Sequence, residues 1–120
     1  MLRANKTAHE RFLHAYIETA LWSSTGDDGE PLDSVDHQLA EETVVQMEKD
    51  CLAFWCANAE HIEDEPRKAG HDFWLTRCGH GAGFWDGDWP EPDASILDSA
   101  AKAFGNVDLY VGDDGQIYCI

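Results

Sequence analysis

Positive charge is scarce in this sequence. Eight Lys plus Arg stand against 24 Asp plus Glu, a formal net charge of −16 at pH 7. A surface this acidic repels a phosphate backbone, so direct binding of nucleic acid is not expected. Long apolar runs are missing as well, and nothing approaches the roughly 20 residues that cross a bilayer, so no membrane partner is expected. The opening MLRANKTAHERFLHAY is amphipathic and lacks the uninterrupted apolar segment of a signal peptide, which predicts a soluble cytoplasmic protein. G-x-S-x-G, H-E-x-x-H and a phosphate-cradling glycine loop are all absent. The expectation is a protein that is not an enzyme and that uses no cofactor.

What is present describes one folded domain. A length of 120 residues, 43% hydrophobic with five tryptophans, suffices for a core without staples and argues against disorder. Cys51, Cys56, Cys78 and Cys119 are read as reduced thiols, and Cys51, on an apolar helical face, as a small core residue. The acids are unevenly spread. Residues 1–22 carry three bases and two acids, whereas residues 23–48 carry eight acids and no base. Asp27, Asp28, Glu30, Asp33, Asp36, Glu41 and Glu42 make most of that run.

Periodicity predicts a helix from Thr7 to Trp22, with Phe12, Tyr16 and Ala20 in one row and Leu13, Ile17 and Leu21 beside it. A second helix is expected from Glu41 to His61, its acids near the start where the helix dipole favours them. The loop between them, DDGEPLDSVD, has the wrong phase of acids for a calcium loop. After Pro90 and Pro92, a third helix capped by Asp93 or Ser95 buries Ile96, Leu97, Ala100, Ala101 and Phe104, and Gly105 stops it. VDLYVGDDGQIYCI alternates about Asp113-Asp114-Gly115 and reads as a β-hairpin.

Between the second and third helices lies GHDFWLTRCGHGAGFWDGDW, Gly70 to Trp89, with three Trp, two Phe, two His and five Gly. His71 to Arg77 reads as a strand, CGHGAG as a tight connection and Phe84-Trp85 as the start of a returning strand. The predicted fold is therefore α+β: two N-terminal helices, a third helix, and a small antiparallel sheet of three or four strands. Two roles are open for the central stretch. Its aromatics fill the core, or His80 and Asp86 flank a concave aromatic surface that holds a ligand. Cys78, His80 and Asp86 could be drawn as a nucleophilic set, and His71, Cys78 and His80 with Cys51 and Cys56 as zinc ligands. The C-x₄-C and C-x-H spacings lack the short paired form of zinc sites, so no metal is expected.

FLHAYIETALWSSTGDDGEPLD, EETVVQMEKDC, the central stretch and AAKAFGNVDLYVGDDGQIY together resemble a widespread family of small proteins of tailed bacteriophages and prophages. The resemblance spans residues 11–118, nearly the whole chain. His71, Arg77, His80, Phe84, Trp85 and Asp86 match the family's central motif. Cys78 stands where the family usually has Asn, which speaks against a shared zinc or Cys/His role, and Gly87 stands where it usually has Arg. The resemblance implies a phage accessory protein acting in the host cytoplasm, and it brings no catalytic residues with it.

The leading expectation is a protein that occupies a basic surface of a host or phage protein, such as a nucleic-acid-binding complex. Inhibition of a defence nuclease, as an anti-CRISPR or anti-restriction protein, would follow from carboxylates that mimic DNA phosphates. Asp27, Asp28, Glu30, Asp33, Asp36, Glu41 and Glu42 would form that decoy stripe. The alternative is a small enzyme or ligand-binding protein using His71, Arg77, His80, Trp85 and Asp86. A third reading is a structural or regulatory phage protein whose charge serves solubility alone.

Overall fold

Thr7 opens the first helix with a reciprocal cap: its hydroxyl accepts from the Glu10 amide and its own amide donates to the Glu10 carboxylate, both at 3.1 Å. The computed structural model describes residues 7–24, 32, 38–62, 65–79, 83–85 and 89–119. From that cap, α1 runs over Ala8–Ser23 and buries the predicted row of Phe12, Tyr16 and Ala20, together with Ala15 and Thr19. Leu13, Ile17 and Leu21 lie half-buried along the edge of the same stripe.

The second helix, α2, covers Glu41–Ile62 and turns Thr43, Met47, Cys51, Phe54, Asn58 and Ile62 inward, a spacing of three and four residues that keeps one face to the core. Leu52, beside Cys51 in the chain, is exposed.

The largest correction concerns His71–Arg77. This segment is no strand; it lies in a third helix, α3, Pro66–Cys78. Pro66 occupies the first turn, where its missing N–H costs nothing, and Gly79 closes the helix in the left-handed conformation at φ 70°. The Asp72–Arg77 run is buried without interruption, so the solvent-facing polar residues of α3 lie in its first half, at Arg67, Lys68 and His71, and the buried run cannot be told from a strand by period. Gly70 is what lets it sit so deep. A Cβ there would collide with the Phe12 carbonyl oxygen on the α1 backbone. α1 and α3 accordingly form the most extensive interface in the molecule.

Phe84-Trp85 is a turn, not a returning strand, and its chain folds back over the end of α3, where the Phe84 amide donates to the Thr76 hydroxyl at 3.1 Å. A fourth helix, α4, spans Asp93–Lys102. Neither Asp93 nor Ser95 caps it. Glu91 does, accepting from the Ser95 amide at 3.1 Å and the Ser95 hydroxyl at 2.7 Å. Asp93 pairs with His61 Nδ1 at 2.9 Å and so ties the end of α2 to the start of α4. Leu97 and Ala101 face inward as expected, whereas Ile96 is exposed. Gly105 follows the helix with φ 83°, a conformation in keeping with its role as the stop.

The predicted hairpin is present as β1, Leu109–Val111, and β2, Ile117–Cys119, antiparallel with Tyr110 opposite Tyr118. Among the described residues the sheet has these two strands rather than three or four. The outer side of β2 is occupied by an isolated parallel bridge from Leu39 to Ile117. Ile117 donates to the Gln38 carbonyl at 2.8 Å, and its own carbonyl accepts from the Ala40 amide and the Thr43 hydroxyl, both at 2.9 Å. The hairpin is thereby stapled to the start of α2.

The chain's five phenylalanines converge at the centre. Phe54 stacks on Phe73 at 4.1 Å, Phe12 and Phe84 each lie 5.8 Å from Phe54, and Phe104 meets Phe73 edge-on at 5.3 Å. Each helix, or the turn beside it, supplies at least one ring to a cluster of stacked and edge-to-face pairs, so this cluster depends on all four helices at once. No described helix is long and apolar enough to cross a membrane.

Candidate protein-docking face

Of the seven acids singled out by sequence, Asp27, Asp28, Glu30, Asp33 and Asp36 lie outside the described residues. Glu41 and Glu42 are exposed in the first turn of α2, where the free amides of the helix favour carboxylates. The staple between Ile117 and the start of α2 brings the β-hairpin to the same region. Glu42 is close enough to Tyr118 for its charge to bear on the phenol.

The hairpin contributes the other half of the face. Tyr110 and Tyr118 are cross-strand partners on one side of the ribbon, their rings stacked at 5.7 Å and 25°. Tyr118 donates to Asp114 Oδ2 at 2.6 Å, and Asp114 Oδ1 accepts from the Gln116 amide at 2.9 Å. The bond to Asp114 pushes the Tyr118 phenol up to about 12, because ionisation would set a phenolate beside a carboxylate. The same two bonds lower Asp114 below the usual carboxylate range, so it stays an acceptor. Tyr110, Val111, Gly112, Asp113, Asp114 and Tyr118 line an open recess of about 490 Å³. Tyrosine ring faces beside acceptor-only carboxylates suit an ammonium or guanidinium group. Sequence reading took Asp113-Asp114-Gly115 only as a turn. The available signal was the alternation that places Tyr110 and Tyr118 on one face once the register is known.

The alternative ligand set is dispersed. Arg77 is inside the protein, its side chain 7% exposed. Its Nη1 donates to Asp50 Oδ2 and to the Tyr16 hydroxyl, both at 2.9 Å, its Nε to the Gly105 carbonyl at 3.1 Å, and its Nη2 to the Phe104 carbonyl at 3.2 Å. Burial opposes the guanidinium charge, and Tyr16 and Asp50 more than offset it, leaving its pKa above the ordinary value. Arg77 thus bolts α3 to α1, α2 and the turn after α4, with no surface left for a ligand. His71 lies in a groove on the α1 side of α3, apart from Arg77's partners. Trp85 is 55% exposed, while His80 and Asp86 lie outside the described residues. Phe73, Trp74, Phe84 and Trp89 are all buried, so most of the aromatic stretch fills the core.

Cys51 and Cys78 are held as thiols. Cys78 donates to the Val107 carbonyl at 3.6 Å, and burial, aided by Asp108, pushes it up to about 12, so it stays protonated at neutral pH. Burial also raises Cys51, which lies in the core as expected. Cys56 is exposed on α2, away from Cys51's side of the helix. Among the described residues no group of three or more His, Cys, Asp or Glu side chains is disposed to hold a metal ion. No protein-family model, curated protein or solved structure matches this chain.

Proposed function

We propose that this is a protein-binding protein that occupies a basic surface of its partner with the face formed by the start of α2 and the β-hairpin. The observation that carries this reading is the stacked Tyr110–Tyr118 pair beside Asp114, on a hairpin that Ile117 ties to the start of α2, where Glu41 and Glu42 are exposed. A face of carboxylates alone would be a solvated surface. The exposed Tyr110 and the half-buried Tyr118 beside them give an arginine or lysine of a partner both a counter-ion and a ring to lie on. Net charge −16 then steers a basic partner toward the molecule from a distance. The phage resemblance supports a host complex that handles nucleic acid as the partner, with the acids in the place of phosphates, and hence inhibition of a defence nuclease.

The test is capture of partners from bacterial lysate by the immobilised protein, followed by elution with duplex DNA. The expected result is retention of DNA-binding proteins that added DNA displaces, and their loss from a variant carrying Glu41→Gln, Glu42→Gln, Asp113→Asn and Asp114→Asn. Equal retention by that variant, with its melting temperature unchanged, would refute the assignment of this face.

A further inference from the structure

α1 and α3 differ electrically from the rest of the molecule. Within their spans Arg11, Arg67, Lys68 and Arg77 stand against Glu10, Glu18 and Asp72, so the pair carries a balance of +1 in a chain of −16. A groove of about 260 Å³ opens between them, lined by Ala15, Glu18, Thr19, Trp22, Arg67 and His71. Gly70 makes the groove possible, because only a residue without Cβ lets α3 press against the α1 backbone there.

The side chains in it are held for presentation. His71, 42% exposed, points Nδ1 at Asp72 Oδ1, 3.2 Å away, while the Asp72 side chain is 4% exposed. Asp72 is in turn fixed from below by Trp89 Nε1, which donates to Oδ2 at 2.7 Å. Residues i and i+1 of a helix do not ordinarily face each other, so this contact depends on the buried anchor. A carboxylate accepts only, so Nδ1 carries a proton toward Asp72, and in the imidazolium form Nε2–H is the donor left for a ligand carboxylate. Trp22, 48% exposed, stacks over the imidazole at 5.8 Å and 29°. Arg67 makes no ion pair among the described residues, whereas Glu18 lies 3.6 Å from His14.

We infer that this groove is a binding site for a small monocarboxylate with a flat apolar body, the carboxylate on Arg67 and His71 and the body against Trp22. A guanidinium fork matches a carboxylate in two parallel hydrogen bonds. The exposed indole supplies the apolar contact, and the Glu18 wall disfavours a doubly charged group such as a phosphate monoester. The site shares no residue with the proposed docking face, so each can fail alone.

The experiment is a titration of the full chain with benzoate, benzamide and phenyl phosphate, followed through the NMR signals of the Trp22 indole and the His71 ring. Benzoate is expected to shift both saturably, with a Kd of about a millimolar and binding at least about tenfold tighter than benzamide. Arg67→Met and Trp22→Ala, both at exposed positions, are expected to weaken benzoate about tenfold or more with the melting temperature preserved. Overturning results are benzamide or phenyl phosphate binding as tightly as benzoate, benzoate binding indifferent to either substitution, or the absence of a saturable shift.

Discussion

Replacing Arg77 with methionine separates a bolt from a binding residue. Methionine keeps the stem in contact with Phe73 and Phe104, whose rings lie 5.7 Å from the guanidinium carbon, and removes the charge. It strands the Tyr16 hydroxyl, two backbone carbonyls and the Asp50 carboxylate. Breaking a buried ion pair from one side costs about 3–5 kcal/mol. Asp50 is 19% exposed and still accepts from Gln46 Nε2 at 2.8 Å through its other oxygen, so the lower end applies, about 3 kcal/mol. For a domain of this length each kcal/mol is about 3–5 °C in Tm, giving a fall of about 10–15 °C. Urea and thermal unfolding followed by tryptophan fluorescence measure it. Arg77→Lys should recover only part of the loss, because an ammonium cannot span the carboxylate, the phenol and two carbonyls together. Asp50→Asn keeps an acceptor for Nη1 and should cost less than Arg77→Met, and the double variant should show coupling of about 1–3 kcal/mol. A loss under about 1 kcal/mol for Arg77→Met would show a guanidinium that is hydrated and free, and would return it to the set of ligand residues.

Gly70→Ala should destabilise by about 1–3 kcal/mol in the same assay, because its methyl meets α1 backbone and α3 must move away. A gain in stability, as alanine gives in an open helix, would mean the two helices stand farther apart. Asp114→Asn should bring the Tyr118 phenol down from about 12 toward the ordinary value of about 10 in a spectrophotometric titration. The sign follows from the neutral phenol being the donor. The contact's contribution to stability is present below about pH 10 and is lost as pH rises toward about 12. An unshifted titration in the variant would remove the bond on which the docking face is built. Of the four cysteines, Cys56 should react first and alone with a bulky thiol reagent in the native protein, and Cys51 only on unfolding. Equal early labelling of Cys51 and Cys56, read by peptide mass, would contradict the orientation of α2.

By itself the sequence determined the elements whose one face meets water. α1, α2 and the final hairpin each bury one side, so Phe12, Tyr16 and Ala20, or Leu109 and Ile117, recur at the period of their own backbone. Local chemistry also placed Gly105 after α4 and kept Cys51 in the core. Only the tertiary structure decided α3. From Asp72 to Arg77 it has neighbours on all sides, so that half has no solvent-facing stripe from which its period could be read. Its Pro66 and Gly70 look like breakers until one is seen in the first turn and the other against α1. The same holds for the sites. Arg77 beside aromatics resembles a surface cation in the sequence, and only the arrival of Tyr16, Asp50, Phe104 and Gly105 from other elements makes it internal. The start of α2 and the final hairpin, far apart in the chain, adjoin because Ile117 hydrogen-bonds Gln38, Ala40 and Thr43. Periodicity is a local property and survives in the sequence; such pairings depend on which elements pack together, and no local pattern carries that.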